Sequence, residues 1–243
     1  MTAEPEPEPP PPPRPVQVRV LHLAAGAAGA TVSASAGPAS VSDVAFKSAS
    51  AYAEMQPPSE QGTVPVQVSA GDATATFEAP YRAGVPATLI VVTNPQDPTQ
   101  VVVNATEDDP TTVMGQLRGR FVNALLGTEA IDFCLPGATA REPGRPIFTG
   151  VQYGQVAGTE TATHYIPVSL AGGGRLQGPR RGRARLHGPG DRHRRGAAAG
   201  SNIAHNLTLV VVGRMSGRPA VARELLVCED APNPSACAAL PLR

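Results

Sequence analysis

Thr88-Leu89-Ile90-Val91-Val92-Thr93 returns late in the chain as Thr208-Leu209-Val210-Val211-Val212. Each run is apolar, mostly β-branched and too short for a helix, and it lacks the polar alternation of a half-exposed strand. It therefore reads as a strand buried on both faces. Four more pairs of segments precede the two copies in matching order. Val20-Leu-His-Leu23 corresponds to Phe121-Val-Asn-Ala124, and Ala30-Thr-Val-Ser33 to Ala130-Ile-Asp-Phe133. Val44-Ala-Phe-Lys47 corresponds to Val151-Gln-Tyr-Gly154, and Tyr52-Ala-Glu-Met55 to Tyr165-Ile-Pro-Val168. An ordered set of this kind marks an internal duplication.

Around these anchors the pattern is that of short strands. Val16, Val18 and Val20 alternate with Gln17, Arg19 and Leu21, which predicts a half-buried strand with the second set turned outward. Gly62-Thr-Val-Pro-Val-Gln-Val68 alternates again, and Ala73–Phe77 follows it after a turn. Gly 25 and Pro 27 punctuate the chain, Trp is absent and aromatics make up 4%, so the core has to be built from Val, Leu, Ala and Ile. The expected fold class is all-β, with two tandem sandwich modules of immunoglobulin-like or prealbumin-like architecture. The expected boundaries are a Pro/Glu-rich spacer over 1–15, a first module over 16–104 and a linker over 105–117. A second module over 118–228 and a tail over 229–243 complete the division. Val101-Val-Val-Asn104 reads as a short strand, and Glu107-Asp108-Asp109-Pro110 as a solvated acidic turn.

Asp132, Val151-Gln-Tyr-Gly154, Gly62-Thr-Val-Pro-Val-Gln-Val68 and the two closing apolar strands together resemble the bacterial and archaeal domains of unknown function called DUF4397. The resemblance spans about Val16 to Gly213. It implies a β-sandwich, paired modules and export, often as an anchored lipoprotein of the cell envelope, and it implies no established activity. The first unit departs from the pattern, because Ala24–Ala30 lacks the Asp-Pro loop and its Asp.

One segment is foreign to the rest. Gly172–Ala199 holds eight Arg and eight Gly with a single Asp, a local excess of seven positive charges in a chain whose formal net charge is zero. The remainder is therefore mildly acidic. The segment sits where the second unit should carry the counterpart of Gly62–Val68, so the second module is expected to miss or distort a strand. GC-rich coding sequence read out of frame yields such strings of Arg, Gly, Pro, Ala and His, and a pair of compensating frameshifts is the favoured reading. A solvated insertion is one alternative. The other is a nucleic-acid-binding loop, which would use phosphate contacts without aromatic stacking.

The N-terminal run Thr2–Pro15, with its Glu-Pro and polyproline repeats, is expected to extend as a polyproline II spacer. An export signal is expected upstream of Met1, which places the protein outside the cell or in its envelope, with membrane contact only through an N-terminal lipid anchor. Cys228 and Cys237 flank a turn-rich loop and suit a small disulfide, Cys134 being the third cysteine. Three cysteines allow three single pairings.

Chemistry is sparse. Of the five histidines, His22, His164, His187, His193 and His205, the third and fourth lie in the foreign segment. His22 and His164 have no Cys or carboxylate at metal-ligand spacing, and neither a G-x-S-x-G elbow nor a calcium loop occurs. Gly26-Ala-Ala-Gly29 is a plain loop, and the glycosylation triplets at Asn104 and Asn206 are incidental. No catalytic role, cofactor or metal is expected. The expected function is a non-catalytic binding, adhesion or spacer module that engages protein or glycan through loops at one end of each sandwich. Gly127, Thr128, Glu129 and Asp132 are its candidate loop site. The alternatives are nucleic-acid binding through 172–199 and an accessory domain of an exported hydrolase.

Overall fold

The computed structural model describes residues 11–37, 39–135, 145–158, 164–167, 175–177, 183–185, 204–215, 220–231 and 237–241. The first unit contains β1 (Val16–His22), β2 (Val32–Ala36), β3 (Ala39–Val44), β4 (Ala53–Met55), β5 (Gln61–Ala70), β6 (Ala73–Arg82), β7 (Ala87–Thr93) and β8 (Val101–Glu107). They form two four-stranded sheets, ordered β4-β1-β7-β8 and β3-β2-β5-β6. β1 and β7 run parallel with Arg19 opposite Thr88, while the other pairings are antiparallel.

The second unit contains β9 (Gln116–Leu126), β10 (Ala130–Leu135), β11 (Arg145–Gln152), β12 (Val156–Ala157), β13 (Ile166–Pro167), β14 (Arg175–Gln177), β15 (Arg183–Arg185), β16 (Ala204–Arg214), β17 (Glu224–Ala231) and β18 (Cys237–Pro241). One sheet is ordered β11-β10-β14-β15. The other is ordered β12-β9-β16-β17-β18, with β13 also paired to β9. β9 and β16 are parallel, and Arg120 lies opposite Thr208 as Arg19 lies opposite Thr88. The protein is an all-β sandwich fold.

The closing strands are buried throughout because successive side chains serve different cores. Leu89 and Val91 enter the first unit's core, and Leu209 and Val211 the second's. Ile90, Val92, Val210 and Val212 face the other way and join Leu21, Leu23, Val122 and Leu226 in a third cluster shared by both units. The two inner sheets thus pack back to back, and the outer sheets close the stack on either side. This covering explains why Arg19 and Leu21 are 1% and 2% exposed, although the alternation in β1 turned both outward.

Several boundaries differ from those expected. β8 continues to Glu107 and Asp108 is buried, so the first unit runs beyond residue 104. Within the acidic turn Asp108 is withdrawn from solvent, while Glu107 and Asp109 stay half-buried and Pro110 exposed. The stretch 229–243 contains the end of β17 and all of β18. The second pair of matched segments shifts by one residue. Val32 and Ile131 are equivalent, since they pair with Val44 and Val151, and so are Ala34 and Phe133. A one-residue slip reverses the face each side chain occupies, and Asp132 therefore matches Ser33.

The strand expected to be missing has a short counterpart. β14 pairs with β10 and β15 with β14, in the places β5 and β6 take in the first unit, but each spans three residues instead of ten. The rest of 172–199 lies outside the described residues. The second core is filled differently to match. Phe121, Phe133 and Phe148, with centroids 5.1 to 6.2 Å apart, stand where the first unit has Val20, Ala34 and Val41. Pro65 stands opposite Glu78 of β6 and lies beyond residues 67–70, with which β2 pairs, so the β2 side of β5 carries no ladder at the proline.

Since one apolar cluster belongs to both units, they are expected to unfold together. Calorimetry should show one transition with equal calorimetric and van't Hoff enthalpies. Ile90→Ala should lower the unfolding free energy by about 2–5 kcal/mol without splitting that transition. Two resolved transitions would show that the shared cluster does not couple the units.

Candidate functional site

The densest chemistry lies between the units, at positions the duplication repeats. Arg19, Tyr52, Thr88 and Asp108 come from the first unit, and Arg120, Tyr165, Thr208 and Asp230 from the second. Except for Tyr52, all are buried, and the two arginines are among the largest fully buried side chains. The parallel pairing of β1 with β7 places the Arg19 Nε–H 2.8 Å from Thr88 Oγ1, and β9 with β16 places the Arg120 Nε–H 2.9 Å from Thr208 Oγ1. Each threonine hydroxyl then donates at 2.6 Å to the aspartate of its own unit, Thr88 to Asp108 and Thr208 to Asp230. Tyr52 and Tyr165 donate to the same carboxylates, also at 2.6 Å.

The guanidiniums cross over. Arg19 Nη2 donates to Asp230 and Arg120 Nη2 to Asp108, so each charge is neutralised by the opposite unit. Arg19 Nη1 reaches the Glu229 carbonyl at 3.4 Å, and Arg120 Nη1 the Glu107 carbonyl at 2.9 Å. The guanidinium carbons lie 5.2 Å from the Tyr52 ring centroid and 4.7 Å from that of Tyr165, within cation–π range. Each carboxylate thus accepts three charge-assisted or hydroxyl hydrogen bonds, which offsets the cost of leaving water.

The titration of these groups follows from the geometry. Burial acts to raise the Asp108 pKa, but Arg120, Arg19 and the Thr88 and Tyr52 hydroxyls together hold it below the ordinary carboxylate value. Burial opposes the charge on both arginines, yet the aspartates keep their pKa values raised. Burial pushes the Tyr52 and Tyr165 phenols up, so both remain donors. The arrangement is saturated with partners and closed to solvent. Its chemical capacity is to fix how the two units meet.

Sequence reasoning missed this lattice, although it left a signal. Arg19 and Arg120 each precede the first matched segment, Tyr52 and Tyr165 head another pair, and Thr88 and Thr208 open the closing strands. Glu107-Asp108-Asp109-Pro110 recurs as Glu229-Asp230-Ala231-Pro232.

The candidate loop residues lie elsewhere. Gly127, at φ 89°, and Thr128 close the turn between β9 and β10, where the Thr128 hydroxyl donates to the Leu125 carbonyl at 2.7 Å and Glu129 is exposed. Asp132 Oδ1 accepts the Gly150 N–H at 2.7 Å across to β11. The four residues belong to one turn and the strand after it, and the Thr128 and Asp132 side chains secure local backbone. Cys228 and Cys237 are directly opposite in β17 and β18 and form a disulfide, while Cys134 is a buried free thiol whose pKa burial and Asp132 raise.

His22 is buried and locally satisfied. Its Nδ1 accepts the Ala24 N–H at 3.3 Å and its Nε2 lies 3.2 Å from the Ala30 carbonyl, and burial lowers its pKa. Asn123 occupies the equivalent place and accepts the Leu125 N–H at 3.1 Å. His187 and His193 lie outside the described residues. Asn206 is buried and donates to the Asp109 and Thr111 carbonyls, tying down the connection between units. Among the described residues, no group of three or more His, Cys, Asp or Glu is placed to hold a metal ion.

Removing one charge should be costly and removing a pair less so. Arg120→Met is expected to destabilise by roughly 3–5 kcal/mol in urea unfolding, because Asp108 keeps its burial and loses its cation. The double variant Arg120→Met, Asp108→Leu should recover part of that loss, and strict additivity would contradict the pairing. Acid should act in two steps. His22 and Asp108 both have lowered folded pKa values, so each stabilises above its unfolded value and loses that contribution as pH falls. Thermal midpoints should begin to drop below about pH 6.5 through His22 and again below about pH 4 through Asp108. His22→Asn, which copies Asn123, should remove the first step and leave the second.

No family model matches the chain, and no curated protein matches it.

Proposed function

We propose that the protein is an exported, non-catalytic cell-envelope module. In this reading it is a rigid pair of immunoglobulin-like or prealbumin-like sandwiches of the DUF4397 type that binds or spaces at the cell surface. One observation carries it. The buried arginines and aspartates and their tyrosines are consumed by one another between the units, and they hold two sandwiches as one body instead of facing a cleft. A spacer or display element needs that rigidity. The disulfide joining Cys228 to Cys237 supports export, since such bonds persist in oxidising compartments. The polyproline run before the first unit supports a stalk.

The proposal is tested on intact cells. Exported protein should be degraded by externally added protease, and mass spectrometry should find Cys228 and Cys237 oxidised with Cys134 a slowly reacting thiol. Protection from protease with all three thiols reduced would overturn it. Nucleic-acid binding is tested beside it. Salt-sensitive retention of single-stranded or duplex DNA, lost on deleting 172–199, would replace the envelope reading with that one.

A further inference from the structure

The outer face of the β3-β2-β5-β6 sheet carries a concavity of about 430 Å³. Its side chains form two rows across the strands. Ser33, Ser69 and Thr74 are directly opposite one another in β2, β5 and β6, and so are Ser35, Gln67 and Thr76. Ser40 extends the second row onto β3, Ser42 is the remaining polar residue of the lining, and Ala34, Val41, Val68 and Ala75 lie between the rows. Alternation explains the placement, because Val32, Ala34, Val66 and Val68 on the same strands point into the first core. Strand spacing sets neighbouring hydroxyls about 4.8 Å apart along each row.

These polar side chains are half-buried or exposed, and among the described residues none has a hydrogen-bond partner within the protein. Ser50, Ser59, Thr88, Thr99 and Thr128, outside the concavity, do bond internally. No ionisable side chain lines the concavity. Among the described residues the second unit does not repeat it. Asp132 and Cys134 stand where Ser33 and Ser35 are, and Asp132 is spent on the Gly150 amide.

We propose that this face binds a neutral polyhydroxylated ligand, an uncharged glycan chain laid along the two rows. The inference deepens the binding half of the envelope reading and rests on it. Every Ser and Thr hydroxyl and the Gln67 carboxamide both donates and accepts, which matches the mixed donor and acceptor character of sugar hydroxyls. An ionised ligand would leave its charge without a partner, and an apolar one would bury hydroxyls without replacing their hydrogen bonds to water. The volume falls within the range of small-molecule sites. With no aromatic ring in the lining there is no stacking platform, so binding rests on hydrogen bonds and is weak, with a dissociation constant in the millimolar range.

The experiment is amide chemical-shift mapping on the full chain, titrated separately with maltohexaose, cellohexaose and the anionic polymer polygalacturonate. The expected result is saturable shifts for a neutral hexasaccharide at Ser33, Ser35, Gln67, Ser69, Thr74 and Thr76. Gln67→Ala with Thr76→Ala should weaken it at least tenfold at an unchanged thermal midpoint. A Ser69→Asp variant, which keeps the exposed strand and adds charge, should abolish it. No shift on these rows with either neutral sugar, or a preference for the anionic polymer, overturns the proposal. Shifts confined to Gly127–Asp132 also overturn it while leaving a binding function in place, and failure of the protease and disulfide tests overturns the envelope reading independently.

Discussion

Two arginines reaching across to each other's aspartates govern the whole molecule. Arg19 lies 3.8 Å from the nearer carboxylate oxygen of its own unit's Asp108, and Arg120 lies 3.9 Å from that of Asp230. The shortest bonds, however, run to the opposite unit. Ion pairs buried in this way contribute little net stability, because desolvation consumes most of the Coulombic gain. What they contribute is register. The surrounding cluster of Leu, Ile and Val supplies the apolar driving force but would tolerate sliding, since such contacts are non-directional. Sliding by one strand spacing would strand four charges in a dry interface. The apolar contact thus supplies the energy of association, and the ionic lattice selects a single geometry for it.

Duplication explains why the lattice closes. Each unit offers one guanidinium, one carboxylate, one threonine and one phenol at equivalent strand positions, so the contact is self-complementary about a pseudo-two-fold axis, in the manner of an isologous dimer interface. The units have diverged around this shared element. Thr106, whose hydroxyl accepts from Arg120 Nη1 at 3.0 Å, has no equivalent in the second unit, where Cys228 holds its place opposite Thr208 and is bonded to Cys237. Asp43 and Lys47 take positive φ at 58° and 66° where the second unit has Gly150 and Gly154 at 62° and 79°. A non-glycine residue is strained there. Lys47 is compensated by an ion pair with Glu224 at 2.8 Å, which also bridges the units.

The β class and the doubly buried closing strands are legible because hydrophobic period and apolar run length survive without any tertiary information. The disulfide was legible as one of three pairings, from the turn-rich loop between Cys228 and Cys237. Alternation turns Arg19 toward solvent because it assigns a face without saying what covers it, and the cover is the other unit. The burial of Asp108 is hidden for the same reason. Its partners Thr88, Tyr52 and Arg120 are scattered along the chain, and only the folded sheets bring them together. The register of β10 is ambiguous by one residue in the sequence, because Ala30-Thr-Val-Ser33 and Thr31-Val-Ser-Ala34 both align passably with Ala130-Ile-Asp-Phe133. Core volume decides between them, and Phe133 needs the inward place that Ala34 marks.

The back-to-back arrangement also restricts where recognition can occur. Both inner sheets are spent on the shared cluster and the ionic lattice, so the central parts of their facing surfaces are closed to solvent. What remains is the two outer sheets and the loop ends. In the outer sheet of the second unit the β5 and β6 counterparts are described over three residues each, and Asp132 on its β10 strand is committed to a backbone amide. The outer sheet of the first unit keeps two ten-residue strands joined over their full length, and it leaves their outward hydroxyls without internal partners. A sheet paved with unsatisfied polar side chains is protected from edge-on and face-on aggregation by hydration alone, and the same hydration is what a hydroxyl-bearing ligand is equipped to replace.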